Sequence, residues 1–351
     1  MIRIGLNGFG RIGRSIFRIN LLKKKFDIVA INEINPDNSN IAYQLNYDTL
    51  YGQLPKKFND NKDSIYESNN IIKIFHEKYI DDVPWDSVNV DMVIDVTGVL
   101  KNAQRAKMAI EKNNLQKIFI THCPDCVDFT MVLGANEHKY DHAHHHVIST
   151  SICDATAIAP VFTIIQKNYG IDKGYVTTLH PWLNYQNLMD GPASSWSVPG
   201  EIFHHYALGR SVIGNMIPKP TSAIDATCIV VEGVTNNMIG SFSYRTPNAI
   251  VGSADITLIT KKNVSKDLII QLFSDYQKNQ SWDILQNNLE PLVSLDFKGT
   301  EYSAIIDNRW TDVIGNNMLK LVLWYDNEWA YSTRVVDQIN YVISKNKGET
   351  L

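Results

Sequence analysis

The sequence predicts an α/β protein, in which an N-terminal domain built on a doubly wound parallel sheet precedes an α+β domain with a mostly antiparallel or mixed sheet. Two observations lead to this prediction. Predicted strands and helices alternate over the first 150 residues, whereas later strands are rich in β-branched and aromatic residues. The 351 residues suffice for two domains, which we place at 1–150 and 151–331, with a final helix at 332–351 packing back on the first.

The first strand is predicted at residues 2–6, where apolar and polar side chains alternate. It leads into the sequence NGFGRIG, which places Gly8, Gly10 and Gly13 in a G-x-G-x-x-G pattern. These glycines permit a tight turn and a close approach of the backbone to a pyrophosphate, which then faces the start of a helix. We predict that helix at residues 11–22.

A second strand is predicted at residues 27–31, and Asn32 and Glu33 follow it. Glu33 lies 20 residues after Gly13, a spacing typical of a carboxylate that binds the 2′-hydroxyl of an adenosine ribose. Such a carboxylate would repel the 2′-phosphate of NADP, so the pattern favours a Rossmann domain with NAD as its cofactor. The alternative is a glycine turn that binds no nucleotide.

The rest of the first domain continues the alternation. Its later elements are predicted at 91–96 (a buried strand), 101–112 (a helix) and 117–121 (a strand). Thr97 and Gly98 close the buried strand. Residues 35–82 are less regular, and we expect connecting segments and short strands there.

The second domain mixes strands with a few helices. The strands are predicted at 175–179, 238–244, 254–259 and 318–324. The helices are predicted at 153–167, 221–231, 266–278 and 332–344. Ser265 is predicted to be the N-cap of the third of these helices.

Composition excludes several classes of protein. A net charge of −4 provides no basic surface for nucleic acid. The sequence contains neither a long apolar membrane span nor a signal peptide, so we expect no membrane association and a cytoplasmic location. Four cysteines are too few for a disulfide scaffold in a chain of this size.

Two local clusters offer metal ligands. Cys123 and Cys126 form one C-x-x-C motif, and a histidine-rich tract contains His142, His144, His145 and His146. The C-x-x-C motif lacks a second pair, and adjacent histidines in a polar stretch point in different directions. We therefore predict an exposed loop rather than a native metal site.

The stretch STSICDATAIAP contains the residue best suited to covalent chemistry, Cys153. A cysteine reacts as its thiolate, and the start of a helix together with a base such as His180 would favour that form. His180 follows 27 residues later, at the end of the predicted strand VTTLH. The alternative is that Cys153 is a small buried apolar residue and that His180 is an ordinary core histidine.

A set of motifs over nearly the whole chain resembles the glyceraldehyde-3-phosphate dehydrogenase family. In order, they are RIGLNGFGRIGR, residues 29–33, 95–99 and 133–136, the Cys153 stretch ending at Ala159-Pro160, VTTLH followed by Asp190-Gly191-Pro192, residues 295–297 and WYDNEWAYSTRVVD. The resemblance implies that Cys153 is the nucleophile and His180 its base.

It also implies the residues that contact the cofactor, which are Asn7, Gly8, Gly10, Arg11, Ile12, Glu33, Thr97, Gly98, Thr121, Asn327 and Tyr331. The first five would lie at the phosphates and Glu33 at the ribose. Asn327 would hold the nicotinamide carboxamide, and Tyr331 would support the face of its ring.

The sequence departs from the family at the anion sites. The family's Ser-Cys-Thr-Thr-Asn is Ile152-Cys153-Asp154-Ala155-Thr156 here, so that a carboxylate adjoins the nucleophile. We treat Asp154 as unpaired and expect it to disfavour a phosphate. The remaining candidates for substrate and anion contacts are Ser151, Leu183 in place of a family threonine, Thr221 and Ser222, Arg245 near the position of a family arginine, and Arg210.

The resemblance implies an NAD-dependent aldehyde dehydrogenase that forms a thiohemiacetal and then a thioester, with glyceraldehyde 3-phosphate as substrate, inorganic phosphate as acyl acceptor and a homotetrameric assembly. One alternative is a paralogue that oxidises another aldehyde, recognised by Arg210, His204 or His205 in a long loop at 190–218, and uses water or arsenate as acceptor. A second alternative is a non-catalytic NAD-binding regulator.

Overall fold

The computed structural model describes residues 1–193 and 205–346. These residues divide into two compact units. The first contains Met1–Met131, Lys139–Ser151 and the segment from Val335, and the second contains Val132–His138 and Ile152–Arg334.

The first unit is an α/β domain. Its strands are β1 (Arg3–Asn7), β2 (Asp27–Asn32), β3 (Tyr47–Asp48), β4 (Gly52–Gln53), β5 (Asn59–Asp60), β6 (Ser64–Glu67), β7 (Asn70–Phe75), β8 (Met92–Asp95), β9 (Lys117–Ile120), β10 (Phe129–Thr130) and β11 (Val147–Ser149). Its helices are α1 (Arg11–Lys23), α2 (Asn38–Asn46) and α3 (Leu100–Asn113).

Nine of these strands form one sheet in the described residues, in the order β10-β11-β9-β8-β1-β2-β7-β6-β5. All neighbours from β10 to β7 are parallel, and the pairs β7–β6 and β6–β5 at one edge are antiparallel. The parallel sheet predicted for this half of the chain is confirmed. The sheet packs on α3 through small side chains. Ala103, Ala106 and Ala109 of the helix lie in one buried cluster with Val93 and Ile118 of the sheet.

Helix α2 was not predicted. Its segment is rich in asparagine, which favours turns over helix interiors. A local signal was present, because the carboxylate of Asp37 accepts hydrogen bonds from the backbone N–H groups of Ser39 and Asn40 and so caps the helix.

The second unit is an α+β domain. Its strands are β12 (Ile171–Pro181), β13 (Ile217–Lys219), β14 (Ile239–Thr246), β15 (Gly252–Thr260), β16 (Leu285–Asn288), β17 (Ala304–Asp307), β18 (Asp312–Ile314) and β19 (Met318–Tyr325). Its helices are α4 (Cys153–Tyr169), α5 (Ala223–Val230), α6 (Lys266–Asn279) and α7 (Trp329–Asn346), whose residues from Val335 belong to the first unit.

The sheet of the second unit is mixed, as predicted. Its described strands follow the order β13-β14-β12-β15-β19-β17-β16, and β18 pairs with β19. The pairs β12–β14 and β16–β17 are parallel, and the other pairs are antiparallel.

Several element boundaries in this unit differ from the prediction by a few residues. Strand β12 spans Ile171–Pro181 rather than 175–179, and α7 begins at Trp329 rather than at residue 332. Helix α5 begins at Ala223 rather than at residue 221, because Thr221 and Ser222 form its entry turn. Among the helices of the described residues, none is both long enough and apolar enough to cross a membrane.

Candidate active site

Cys153 is the first residue of helix α4. Ile152 before it is extended, and Ser151 has a φ of 61°, in the left-handed region that residues other than glycine seldom adopt. This sharp change of direction places the thiol at the start of the helix, where backbone N–H groups favour negative charge. Cys153 as a residue keeps only an intermediate exposure to solvent.

The sheet of the second unit brings His180 to this thiol. Nε2 of His180 lies 3.6 Å from Sγ of Cys153, within hydrogen-bond distance for sulfur. Nδ1 lies 2.8 Å from the carbonyl oxygen of Pro181, which can only accept, so Nδ1 carries the ring proton of the neutral form. The lone pair of Nε2 therefore faces the thiol, as a base requires.

The protonation of this pair differs from the expected thiolate and imidazolium. Burial and then the carboxylate of Asp154 raise the pKa of Cys153 well above its ordinary value. Burial also lowers the pKa of His180 to about 4. The free protein therefore holds a neutral thiol beside a neutral imidazole at pH 7, because burial penalises the charged form of both groups.

Asp154 is not unpaired, which corrects the expectation from the sequence. Its Oδ1 accepts a hydrogen bond of 2.7 Å from the hydroxyl of Tyr325 and lies 3.9 Å from Sγ of Cys153. Tyr325 was missed by the sequence analysis. It reaches Asp154 across Gly252, where a Cβ atom would lie only 2.8 Å from the tyrosine ring.

Two cations share the face of the sheet that carries His180. Arg245 is paired with His180 in the register of β12 and β14, and Lys219 is paired with Ser243 two residues earlier on β14. Because side chains alternate across a strand, Lys219, Ser243 and Arg245 point to one face. Lys219 was not predicted. Its place on this face follows from the pairing of β13 with β14, which no local sequence pattern shows.

Arg245 is buried, with 5% of its surface exposed, and in the described residues it has no carboxylate partner. Its terminal nitrogens make only long hydrogen bonds, of 3.3 Å to the carbonyl oxygen of Pro181 and 3.4 Å to the hydroxyl of Tyr185. Its Nε atom has no partner there. A buried guanidinium of this kind is poised to bind an anion.

The charge of Lys219 acts on the same site. Burial and then the charge of Arg245 lower the pKa of Lys219 to about 8, while Asp154 and Cys153 act in the opposite direction. In the described residues, its ammonium donates to the carbonyl oxygen of Pro220 and has no carboxylate partner within 4.0 Å.

The other residues predicted to contact an anion take part in local turns and helix starts. The N–H of Leu183 donates to the side chain of Gln186 in a turn, and Oγ1 of Thr221 accepts from the N–H of Ala223. Ser222 is the N-cap residue of α5, and Ser151 precedes α4.

The long loop is described only in part. Arg210 is exposed, and its Nε lies 2.9 Å from a carboxylate oxygen of Asp190. His205 borders the turn at Tyr206–Gly209, and His204 lies outside the described residues.

In the first unit, the glycine motif has the geometry of a cofactor cradle. Gly8 has a φ of 96°, and its N–H donates to the carbonyl oxygen of Asn32. Gly10 is the N-cap of α1, and no described side chain caps that helix. A Cβ atom at Gly13 would lie 2.8 Å from the oxygen of Gly8. The N–H groups at the start of α1, which include those of Arg11 and Ile12, therefore fit an incoming pyrophosphate.

Glu33 supports this loop directly. One oxygen of its carboxylate accepts a hydrogen bond of 2.7 Å from the N–H of Phe9, and the other accepts from the N–H of Asn35. Arg11 forms an ion pair with Asp48. The carboxylate of Glu33 thus already lies at the glycine loop.

A buried network lies beneath this cradle. Nδ2 of Asn7 donates to Asp95 at 2.7 Å, and Oδ1 of Asn7 accepts from Asn32. The hydroxyl of Thr97 donates to Asp95, and that of Thr121 donates to the carbonyl oxygen of Asp95. The side chain of Asn7 therefore positions the loop from below.

Asp95 itself is fully buried. In the described residues, its Oδ2 has no hydrogen-bond partner. Burial raises its pKa to about 7. Gly98 follows Thr97 with a φ of 67°, which opens the turn into α3.

Asn327 and Tyr331 lie in the second unit. Oδ1 of Asn327 accepts a hydrogen bond of 3.1 Å from the N–H of Val251, whose φ of 71° is unusual for a β-branched residue. This bond fixes the orientation of the amide and leaves Nδ2 without a hydrogen bond to any described residue. Tyr331 is buried in the first turn of α7.

The histidine tract, for which we predicted an exposed loop, makes contacts that involve no metal. Lys117 donates to the carbonyl oxygens of His142 and His145, and the ring of His145 stacks on Phe129 at 4.6 Å. Cys123 is partly buried and Cys126 is exposed.

Two family models match the chain. Residues 152–327 match the model described as "Glyceraldehyde 3-phosphate dehydrogenase, C-terminal domain", and residues 2–103 match "Glyceraldehyde 3-phosphate dehydrogenase, NAD binding domain".

Several bacterial proteins are similar over nearly their full length. "Glyceraldehyde-3-phosphate dehydrogenase 2" of Streptomyces avermitilis is 35% identical over 97% of this chain and 98% of its own length. "Glyceraldehyde-3-phosphate dehydrogenase 1" of Bacillus cereus is 33% identical over 98% of this chain and 99% of its own length. "Glyceraldehyde-3-phosphate dehydrogenase 2" of Bacillus subtilis is 30% identical over 99% of this chain and 98% of its own length.

Proposed function

Because the chain belongs to the glyceraldehyde-3-phosphate dehydrogenase family, we propose that it oxidises glyceraldehyde 3-phosphate through Cys153 and transfers the acyl group to inorganic phosphate. NAD is its cofactor, in keeping with the match to the NAD-binding domain. The observation that carries the proposal is the contact of 3.6 Å between Sγ of Cys153 and Nε2 of His180, whose Nδ1 is anchored on Pro181.

The residues of this pair perform the proton transfers. As Sγ of Cys153 attacks the aldehyde carbon, its proton passes to Nε2 of His180 and from there to the former carbonyl oxygen, so that a carbon–sulfur bond forms and the carbonyl becomes the hydroxyl of a thiohemiacetal. NAD, when bound, supplies the acceptor for the hydride that this carbon loses, and the hydroxyl proton leaves through His180 to solvent. An oxygen of phosphate then attacks the thioester carbon, the new carbon–oxygen bond gives an acyl phosphate, the carbon–sulfur bond breaks, and the departing sulfur takes up the proton that the phosphate loses, through His180, to restore the thiol.

Residues at the glycine loop of the first unit would hold the pyrophosphate and the adenosine ribose of NAD. The N–H groups at the start of α1, those of Arg11 and Ile12 among them, would donate to the pyrophosphate, and Glu33 would accept from the ribose. The Nδ2 atom of Asn327, with no described partner, can donate to the carboxamide oxygen. The network of Asn7, Thr97 and Thr121 fixes the loop beneath the cofactor.

Arg245 and Lys219 support recognition of a phosphate. The sequence lacks several hydroxyl groups that bind phosphate in the family, whereas the structure has two cations without a carboxylate partner in the described residues. Charged hydrogen bonds are worth roughly 1.5–3 kcal/mol each, so two such contacts compensate for several lost hydroxyls. Arg210, paired with Asp190 on the exposed loop, would contribute less.

Asp154 favours a second candidate function, in which water rather than phosphate cleaves the thioester. Its carboxylate lies 3.9 Å from Sγ, where it would repel a phosphate and could accept a proton from water. The substrate would still be an aldehyde, and the first half of the reaction would be the same.

Formation of NADH from a panel of aldehydes, each with and without phosphate or arsenate, tests both functions. We expect turnover of glyceraldehyde 3-phosphate that depends on phosphate or arsenate. Turnover that is independent of both would favour hydrolysis, and turnover only with another aldehyde would favour a divergent paralogue. Absence of turnover with every aldehyde would contradict the enzymatic function and favour an NAD-binding regulator.

We further propose a homotetramer that works in the cytoplasm. A row of aromatic side chains, Tyr175, Phe242 and Tyr244, lies on the sheet face opposite His180, and Tyr175 is 51% exposed. A second copy would cover this row. Light scattering on the purified protein measures the assembly.

The cytoplasmic location is supported by the four free cysteines, which suit a reducing compartment.

A further inference from the structure

Three different ligand atoms meet at the start of α4. In the described residues, Cys153, Asp154 and His180 are the one group of three potential ligands whose donor atoms all lie within 4.8 Å of one another. Sγ lies 3.6 Å from Nε2 and 3.9 Å from Oδ1. With Zn–S of about 2.3 Å and Zn–N of about 2.0–2.1 Å, a tetrahedral zinc ion holds sulfur and nitrogen about 3.5 Å apart. The donors therefore stand close to the separations that zinc requires.

The imidazole is oriented as a metal ligand. The carbonyl oxygen of Pro181 accepts from Nδ1 of His180, so the lone pair of Nε2 points towards Cys153. Histidine ligands of zinc are typically fixed by such a hydrogen bond on the opposite ring nitrogen.

The carboxylate is oriented too. The hydroxyl of Tyr325 donates to Oδ1 of Asp154 at 2.7 Å, and a carboxylate that accepts this bond keeps lone pairs on both oxygens for a metal. The three ligands thus come with two supporting hydrogen bonds, from Tyr325 and to Pro181, of the kind that raises metal affinity about 10- to 100-fold.

The chemistry of the donors selects the ion. A thiolate, an imidazole and a carboxylate suit zinc, whereas calcium and magnesium prefer oxygen ligands alone. Arg245 and Lys219 act on the same site with positive charge and oppose a cation. The negative charges of the thiolate and of Asp154 offset these two cations.

We propose that Cys153, Asp154 and His180 bind one zinc ion, which occupies the nucleophile and reversibly inhibits the enzyme. As the Zn–S bond forms, the thiol proton is released to solvent, and the fourth position of the metal remains open to water. The site goes beyond the proposed reaction, in which no metal takes part, because it depends on the carboxylate that this chain carries next to its nucleophile.

Titration of the full-length, reduced protein with Co²⁺ tests the site without reference to activity. Cobalt replaces zinc in such sites and gives a thiolate-to-metal charge-transfer band. We expect this band at one equivalent, its displacement by Zn²⁺, and its loss in Cys153→Ser. Asp154→Asn keeps an acceptor for Tyr325 but removes an anionic ligand, and we expect it to weaken Co²⁺ binding by more than the roughly 10- to 100-fold that loss of a supporting hydrogen bond costs. Tyr325→Phe leaves all three ligands in place and should weaken it less.

Cys126→Ser is the matched control, because Cys126 is exposed and lies in the C-x-x-C segment. This variant should keep the full band. A band that survives Cys153→Ser but disappears in Cys126→Ser would place the metal at the C-x-x-C segment and overturn the proposal. Absence of a band, or equal affinity in Asp154→Asn and the unmodified protein, would also overturn it. NAD binding by each variant, measured by fluorescence, reports that it is folded.

Discussion

The hydroxyl of Tyr325 donates a hydrogen bond of 2.7 Å to the carboxylate of Asp154, the residue that follows the nucleophile. This bond holds a carboxylate 3.9 Å from the sulfur of Cys153. The carboxylate is the second cause, after burial, of the raised pKa of the thiol. The reactivity of the nucleophile is therefore set in part by a residue on another strand.

Replacing Asp154 with Asn should make Cys153 more reactive. The amide keeps an acceptor for Tyr325 and removes the negative charge that disfavours the thiolate. Because one pKa unit changes the thiolate fraction tenfold, we expect alkylation by iodoacetamide at pH 7 to be about tenfold faster. Cys153→Ser identifies the signal of this thiol. An alkylation rate equal to that of the unmodified protein would mean that the carboxylate does not influence the sulfur.

Arg245→Ala should impair the binding of phosphorylated substrates selectively. The loss of one or two charged hydrogen bonds raises the KM for glyceraldehyde 3-phosphate by about 100-fold. The KM for unphosphorylated glyceraldehyde should change little, and it serves as the internal control. Equal losses with both aldehydes would indicate that Arg245 maintains the strand and does not bind the phosphate.

Lys219 should make phosphate recognition depend on pH. Its pKa of about 8 means that it is charged below pH 8 and loses its charge as the pH rises above that value. The KM for glyceraldehyde 3-phosphate should therefore rise between pH 7 and pH 9. In Lys219→Arg, which stays charged, the rise should disappear. If both proteins give the same pH profile, Lys219 does not contact the phosphate.

Two variants of Glu33 separate its roles at the cofactor. Gln can still accept the hydrogen bond from the N–H of Phe9, whereas Ala cannot. We expect Glu33→Ala to weaken NAD binding about 10- to 100-fold and Glu33→Gln to weaken it less, as measured by fluorescence titration. Unchanged affinity in Glu33→Ala would show that the carboxylate does not hold the ribose.

Asp95 should make the first unit less stable as the pH rises. Its pKa is raised to about 7 by burial, so the folded state binds a proton that the unfolded state has lost above about pH 4. The bound proton contributes to the free energy of unfolding below pH 4, and this contribution is lost as the pH rises from there through 7. The full loss is about 4 kcal/mol. In Asp95→Asn, the free energy of unfolding measured in urea should depend little on pH over this range.

The exposed Asp86→Asn is the control for this experiment. Its free energy of unfolding should equal that of the unmodified protein at pH 5 and at pH 8. If Asp95→Asn shows the same decline between these pH values as the unmodified protein, the buried carboxyl is not the cause.

Much of the fold could be read from local patterns. The glycine motif predicted a turn between β1 and α1, and Gly8 has the positive φ that such a turn demands. Strand periodicity predicted the parallel and mixed sheets. Helix α2 was missed because asparagine favours turns, although Asp37 caps it.

The sequence by itself determined which residues could react: a cysteine before a helical segment, a histidine at the end of a strand, and an acidic residue at the right distance from the glycines. These are local features, because turns, caps and periodicity act over a few residues. Tertiary structure alone decided that Tyr325 holds Asp154, a partner 171 positions away, and that Lys219 and Arg245 share a face with His180. It also decided that burial keeps Cys153 and His180 neutral, since burial depends on how distant strands and helices pack together.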